Sequence, residues 1–128
     1  MSKNNKVLVL SEDEARRRDL VTILEFVGEE QVIAGDGALA LLASDDDQAW
    51  ATVSVAVVNG TESGACSAIE QVCRAMTGVP VLLVGDPELK GLSEDDAARV
   101  IARMEWPLNY TKFVDSLYRA QIYRDQFS

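Results

Sequence analysis

The sequence predicts an α/β domain built around a five-stranded parallel sheet. Short runs rich in β-branched residues alternate along the chain with stretches of helical periodicity, which implies parallel strands joined by right-handed crossovers. A length of 128 residues allows one domain with a hydrophobic core and is too short for two ordinary ones. Five strands and five helices in this length are typical of the flavodoxin-like, doubly wound (βα)5 fold.

The predicted strands are short apolar runs, and the predicted helices carry apolar residues at the spacing of one buried face. In chain order the strands are Lys6–Leu10, Gln31–Ala34, Thr52–Val58, Val79–Val84 and Ala102–Trp106. The helices between and after them are Asp13–Val27, Gly37–Ser44, Gly64–Met76, Ser93–Ile101 and Asn109–Phe127. We assign residues 1–120 to the domain and residues 121–128 to the start of a connector helix.

Three helix starts carry capping residues. Ser11 followed by Glu14 predicts a capping box, in which the serine oxygen accepts a backbone N–H bond and the glutamate reaches back. Ser93 with Asp96 predicts a similar arrangement before the fourth helix. Asn109 is predicted to cap the last helix.

Composition narrows the possible functions. Acidic residues outnumber basic ones by 21 to 12, so this stretch is not expected to bind DNA by itself. No apolar run is long enough to span a bilayer and no signal peptide opens the chain, so we expect a cytoplasmic location and no membrane partner.

Cys66 and Cys73 would lie about 10.5 Å apart along one helix, beyond disulfide reach. Histidine is absent, which disfavours a metal pair and removes the commonest general base.

Ligands of this fold bind at the carboxyl ends of the strands, near the point where the strand order reverses. The residues predicted there are Ser11, Glu12, Asp13, Asn59, Gly60, Gly85, Asp86, Trp106 and Pro107. Glu12 and Asp13 could hold Mg²⁺, but the third strand ends in Asn59, which supplies no charge. Acidic residues in a first helical turn also complement the helix dipole, and this is the interpretation we favour.

Two glycine-rich segments resemble nucleotide-binding loops only in part. GDGALA, Gly35–Ala40, matches G-x-G-x-x-A but follows the second strand and lacks an acidic residue about twenty positions further on. GTESGACS, Gly60–Ser67, has no lysine to reach a phosphate. Ser11 and Ser67 have no histidine to activate them. We therefore expect no cofactor, no metal and no catalytic residue in this domain.

Four segments, in order, resemble the CheY-like receiver domain of bacterial response regulators: VLVLSEDEARRRDL, AGDGALALL, GVPVLLVGD and WPLNYTKFVDSL. The resemblance covers nearly the whole chain. It places the family's acidic pair on Ser11 and Glu12, its phosphoacceptor aspartate on Asn59 (or Gly60) and its switch hydroxyl on Gly85. The family's lysine falls on Trp106. Its proline, which often follows a cis bond, falls on Pro107. An amide cannot form an acyl phosphate, and the transition-state charge would lack its usual stabilisers. The resemblance therefore implies a pseudo-receiver that is not phosphorylated.

A narrower resemblance, carried by LVTILEFVGEE, NGTESG, PVLLVGDP and SLYRAQIYRDQF, is to the N-terminal domain of FleQ/FlrA-type flagellar regulators. These are sigma-54-dependent transcription activators, so the resemblance implies a regulatory or dimerisation domain followed by AAA+ ATPase and helix-turn-helix domains. Through those domains it implies sigma-54 RNA polymerase, promoter DNA, cyclic di-GMP and an antiactivator ATPase as partners. A stand-alone pseudo-receiver adaptor in another signalling pathway is the alternative.

Two helical surfaces are predicted for self-association as a homodimer. The face of the fourth helix, fifth strand and last helix offers Trp106, Tyr110 and Tyr118, and we favour it because aromatic residues are enriched in interface cores. The third helix instead offers small side chains for close approach, and these are Ala65, Ala68, Val72 and Ala75.

Overall fold

The computed structural model describes residues 6–28, 31–35, 40, 43, 53–75 and 78–126. The strands within them are β1 (Lys6–Leu10), β2 (Val32–Ile33), β3 (Val53–Asn59), β4 (Val81–Gly85) and β5 (Val100–Glu105). The helices are α1 (Glu14–Phe26), α2 (Ala65–Ala75), α3 (Glu94–Arg99) and α4 (Tyr110–Asp125). The helix predicted over Gly37–Ser44 falls almost entirely outside the described residues.

The strands form one parallel sheet in the order β2-β1-β3-β4-β5. Strand order reverses between β1 and β3, where Leu10 pairs with Val58. One strand further, Asn59 pairs with Val84, so the carboxyl ends of the central strands lie side by side. The predicted flavodoxin-like fold is confirmed.

Helices cover both faces of the sheet, so its central strands are almost continuously apolar. Alternate strand residues point to opposite faces, and each face has its own core cluster. One cluster packs beneath Ile69 and Val72 of α2. The other packs beneath Leu20 of α1 and Phe113 of α4. Burying each large side chain of this kind contributes roughly 1.5–3 kcal/mol, so the core fixes the frame that positions the strand ends.

The cap of α1 differs from the prediction. Asp13 is the N-cap, and its Oδ1 accepts hydrogen bonds from the N–H groups of Ala15 at 3.0 Å and Arg16 at 3.3 Å. The predicted capping box of Ser11 with Glu14 is therefore wrong, because Ser11 lies too far before the helix to reach its first free N–H groups. The Ser11 hydroxyl bonds elsewhere.

The other two predicted caps are confirmed. Ser93 Oγ accepts a hydrogen bond from the N–H of Asp96 at 3.1 Å. Asn109 Oδ1 accepts one from the N–H of Lys112 at 3.0 Å. Both bonds satisfy N–H groups that a helix start leaves without intrahelical partners.

Helix α3 is shorter than predicted. It ends at Arg99, because Val100 already has extended backbone angles and pairs with Val81 at the start of β5. The β-branched residues Val100 and Ile101, assigned to the helix from the sequence, join the sheet instead. Their preference for a pleated, half-buried surface agrees with this.

Helix α4 runs without a break as far as Asp125. Phe113 and Ala120 face the core. Ile122 and Tyr123 line a shallow cleft together with Ile101 of β5, so the helix still follows the sheet at this point.

Candidate functional site

Four strand ends bring the predicted site residues to one edge of the sheet. Ser11 follows β1, Asn59 ends β3, Gly85 ends β4 and Trp106 follows β5. Asn59 is buried, with 1% of its surface exposed. Its Nδ2 donates a hydrogen bond to Ser11 Oγ at 3.3 Å, which joins two of the strand ends directly.

The carboxylate of Glu62 occupies the middle of this edge. It accepts hydrogen bonds from the backbone N–H of Glu12 at 2.7 and 2.8 Å, from that of Asp13 at 2.7 Å, and from the Ser11 hydroxyl at 2.9 Å. Asn59 Nδ2 approaches the same carboxylate at 3.5 Å. Hydrogen bonds to a carboxylate are stronger than neutral ones, and N–H groups at a helix start favour a negative charge. The loop after β3 is thereby tied to the loop after β1.

Both ends of the Asn59 amide are used. Nδ2 faces Ser11 and Glu62, while Oδ1 accepts hydrogen bonds from the N–H of Thr61 at 3.1 Å and its hydroxyl at 2.8 Å. An aspartate here could not donate to Glu62 and would set a second carboxylate beside it. The local structure therefore suits an amide.

Gly85 has no room for a side chain. An added Cβ would lie 2.6 Å from Trp106 Nε1, 2.8 Å from Thr61 Cγ2 and 2.9 Å from Asn59 Oδ1. Its φ of +97° is also one that residues with a Cβ rarely adopt. The indole occupies the space in front of β4, and the Trp106–Pro107 peptide bond is cis.

The indole of Trp106 is covered from outside by a cation. The guanidinium carbon of Arg16 lies 4.5 Å from the ring centroid, within the range of a cation–π contact. Trp106 Nε1 is buried, and no hydrogen-bond partner for it is present among the described residues. Packing against Arg16 and Gly85, rather than hydrogen bonding, holds the ring.

A cavity of about 240 Å³ lies beside this edge, between β1, β3 and α2. Among the described residues that line it, Arg17 is the only cation. Its guanidinium donates a hydrogen bond to the carbonyl oxygen of Ser11 at 3.0 Å, so it braces the first loop. Phosphoryl transfer uses a carboxylate nucleophile, a held divalent ion and a cation near the developing charge. The groups at this edge instead supply hydrogen bonds and packing.

The structure brings all the predicted pocket residues to this edge, namely Ser11, Glu12, Asn59, Gly85, Trp106 and Pro107. Glu62 and Arg16 were missed. Glu62 had a usable signal, because an acidic residue three positions after the third strand lies opposite the N–H groups that follow the first. Arg16 had none, since a run of three arginines does not show which one meets the indole.

Three further observations concern the described part of the chain. No helix there combines the length and apolarity that crossing a membrane requires. No group of three or more histidine, cysteine, aspartate or glutamate residues there could hold a metal ion. Cys66 and Cys73 are free thiols, and burial raises the pKa of Cys73 to about 11. That thiol is therefore protonated and a poor nucleophile near neutral pH.

The two predicted association surfaces differ in exposure. On α2, Ala65 and Val72 are buried in the core, and Ala68 and Ala75 pack partly buried against it. These small side chains face the sheet and leave little for a second copy to contact. Within the described residues, five large apolar side chains are exposed instead, and they are Phe26 (77%), Tyr110 (50%), Val114 (36%), Tyr118 (67%) and Ile122 (48%). We call them the α1–α4 patch.

The strand order and the site at the strand ends define a receiver-like domain. A response regulator receiver domain protein from Clostridium thermocellum superposes with a TM-score of 0.77 at 11% identity, over 96% of this chain and 98% of that chain. A putative pilus assembly-related protein from Burkholderia pseudomallei K96243 gives 0.70 at 26% identity, over 96% and 93%. NtrX from Brucella abortus, solved in complex with ATP, gives 0.70 at 16% identity, over 96% of this chain and 28% of its own.

The family follows from the sequence itself. A profile of the family described as "Flagellar regulatory protein FleQ" matches residues 6–122, which is most of the chain. The chain belongs to this family and is a receiver-like domain of a FleQ-type transcription activator.

Proposed function

We propose that this chain is a non-phosphorylatable receiver-like domain that regulates, by dimerisation or domain contact, a sigma-54-dependent activator of flagellar genes in the cytoplasm. The observation that carries the proposal is the Glu62 carboxylate seated on the N–H groups of Glu12 and Asp13 beside the Asn59 amide. A carboxylate of the chain itself occupies the edge where a phosphoryl group and its metal would have to bind.

The remaining parts of the edge support the same conclusion. Asn59 is not a nucleophile for phosphoryl transfer, and its Oδ1 is already bonded twice to Thr61. Mg²⁺ needs oxygen ligands with free lone pairs, whereas the Glu62 carboxylate already accepts hydrogen bonds from three donors, the Ser11 hydroxyl and the N–H groups of Glu12 and Asp13. The indole of Trp106 stands where the receiver family has a lysine that stabilises the developing charge. The two nearby cations have other contacts, since the Arg16 guanidinium lies on the indole and that of Arg17 donates to the carbonyl oxygen of Ser11.

Further domains and partners belong to the same proposal. The resemblance to FleQ-type activators implies an AAA+ ATPase and a helix-turn-helix domain in the full protein, and the match to only 28% of the NtrX chain, solved with ATP, supports further domains. Sigma-54 RNA polymerase, promoter DNA, cyclic di-GMP and an antiactivator ATPase would act through those domains. We also propose that residues 121–128 start a connector; the unbroken run of α4 to Asp125 supports this, although Ile122 and Tyr123 still line a cleft with β5.

A second candidate is a stand-alone pseudo-receiver adaptor in another pathway. The observation that favours it is the likeness to two pilus-related chains of similar extent. One is the Burkholderia pseudomallei protein described above. The other is a putative pilus assembly protein (cpaE) from Burkholderia thailandensis E264, at 25% identity and a TM-score of 0.65, over 90% of this chain and 96% of that chain. An open reading frame with an AAA+ region after Ser128 would decide for the first candidate.

Transcription from a sigma-54-dependent flagellar promoter tests the proposal in cells. Two versions of the full-length protein are compared with the wild type: Asn59→Ala, and a deletion of residues 6–120. We expect Asn59→Ala to keep normal regulation, since no phosphate is carried there, and the deletion to disturb it. Loss of regulation in Asn59→Ala at unchanged protein level would contradict the proposal, as would an unaffected deletion.

A further inference from the structure

We infer that two copies of this chain pair through the α1–α4 patch, with α4 of one copy crossing α4 of the other. The inference deepens the proposed function, and rests on it in taking the domain as a dimerisation module. It names a surface that differs in part from both surfaces predicted from the sequence.

The patch has the geometry of a packing ridge. Tyr110, Val114, Tyr118 and Ile122 are spaced by four along α4, so they form one continuous row on the side away from the core. The ring of Phe26 extends this row onto α1, with its centroid 5.7 Å from that of Tyr110 and the planes at 77°. Rows spaced by four from two helices interlock at a crossing angle of about −50°, the commonest class of helix packing.

The size of the patch fits a second copy. Aromatic side chains bury about 150–250 Å² each when fully covered and the smaller Val and Ile side chains bury less, so the exposed fractions here amount to roughly 500 Å² per copy. Two copies would together bury about 1,000 Å², which is the lower limit for a specific protein interface. The largest apolar patch on a typical monomer has about this size and is often functional.

Charge also favours pairing at this face. Helices α1 and α4 hold six of the 12 basic residues but only five of the 21 acidic ones. They therefore carry a net charge of +1, while the rest of the chain, with a total of −9, carries −10. A symmetric contact through these two helices therefore meets less like-charge repulsion than one through the more acidic parts of the chain.

The surface toward α3 is less suitable. The first turn of α3 carries Glu94, Asp95 and Asp96, so a symmetric contact through it would bring acidic residues of the two copies together. The sequence-based choice of the last helix as an interface element is therefore kept in this inference. In this interface α4 is joined by α1, through Phe26, and not by α3 and β5.

Sedimentation equilibrium of the 128-residue chain tests the inference. We compare the wild type with Tyr118→Asp, which puts a charge in the middle of the ridge, and with Gln71→Asp on the exposed side of α2. Gln71→Asp is the matched control, because it adds the same charge to the competing helix. We expect twice the 14.0 kDa mass for the wild type and the control. For Tyr118→Asp we expect the dimer dissociation constant to rise by about thirtyfold, as for a central hot-spot residue.

Three results would overturn the inference: a monomeric wild type at high concentration, a Tyr118→Asp variant that dimerises as the wild type does, or dissociation caused by Gln71→Asp alone. Val114→Asp serves as a second ridge variant if Tyr118→Asp does not fold, judged by far-UV circular dichroism. None of these results bears on phosphorylation, which is measured separately, so failure of the interface and failure of the proposed function are distinguishable.

Discussion

The strand-end edge and the α1–α4 patch of this domain are opposites. At the edge, polar side chains are drawn inward and bonded to one another, with Glu62 held by N–H groups of Glu12 and Asp13. In the patch, Phe26 and Tyr118 are 77% and 67% exposed. The polar groups of the edge are therefore bonded within the domain, whereas the patch leaves apolar side chains uncovered.

The difference teaches where binding free energy remains available. Polar groups that are already bonded within the domain have little to gain from a ligand, because every new hydrogen bond must replace an existing one. Exposed apolar surface gains free energy whenever it is covered, at roughly 25 cal/mol per Å² before the costs of association. The domain keeps the receiver frame, and the apolar area that could still gain free energy by being covered lies in the α1–α4 patch.

Adding a methyl group at the edge should give the largest effect. Gly85→Ala would force a Cβ to within 2.6 Å of Trp106 Nε1 at a φ of +97°. Left-handed strain and overpacking together should lower the free energy of unfolding by about 3 kcal/mol. Urea denaturation followed by circular dichroism measures this.

Gly28→Ala separates the two causes. Gly28 has a similar φ of +94°, but an added Cβ there meets nothing within 4 Å. It should lower the free energy of unfolding by only about 1 kcal/mol, from strain alone. Equal losses in the two variants would mean that the edge is not tightly filled.

Residue spacing was enough to predict the strands and the doubly wound parallel fold, because the alternation of β-branched runs and helices leaves few topologies. Spacing could not decide which of two neighbouring residues caps a helix. Ser11 and Asp13 are both good caps within one turn, and the choice of Asp13 depends on Glu62 binding the Ser11 hydroxyl from a distant loop. Phe26 was missed because its exposure follows from the three-dimensional path of α1 beside α4.

Removing the internal carboxylate should have a smaller effect than filling Gly85. Glu62→Ala deletes charge-assisted bonds to the N–H groups of Glu12 and Asp13, although water can partly replace them at this exposed edge. We expect the free energy of unfolding to fall by about 1.5 kcal/mol. Glu88→Ala, at an exposed position in the loop after β4, removes the same charge and should change stability little. If Glu62→Ala is as stable as Glu88→Ala, the bonds of the Glu62 carboxylate do not stabilise the domain and this part of the account is wrong.

The cation over the indole should have the smallest effect. Arg16→Met keeps the aliphatic part of the side chain but removes the guanidinium over Trp106. We expect the free energy of unfolding to fall by about 0.5–1 kcal/mol. The control is Arg18→Met on the same helix, which breaks only an exposed pair with Glu14 at 3.1 Å. That pair should be worth about 0.3 kcal/mol. Denaturation midpoints in which Arg18→Met costs as much as Arg16→Met would show that Arg16 does not hold the ring.

Phosphate incorporation into Asn59→Asp tests the central claim most directly. The variant restores the carboxylate nucleophile, while Glu62 still occupies the neighbouring N–H groups and Trp106 still replaces a cation. Parts of a catalytic unit act together, so one repair should recover little. After incubation with acetyl phosphate and Mg²⁺, intact mass should show no phosphate on the wild type or the variant, beside a fully labelled receiver as control. Stoichiometric labelling of Asn59→Asp would contradict the account, because it would show that this edge can still transfer a phosphoryl group.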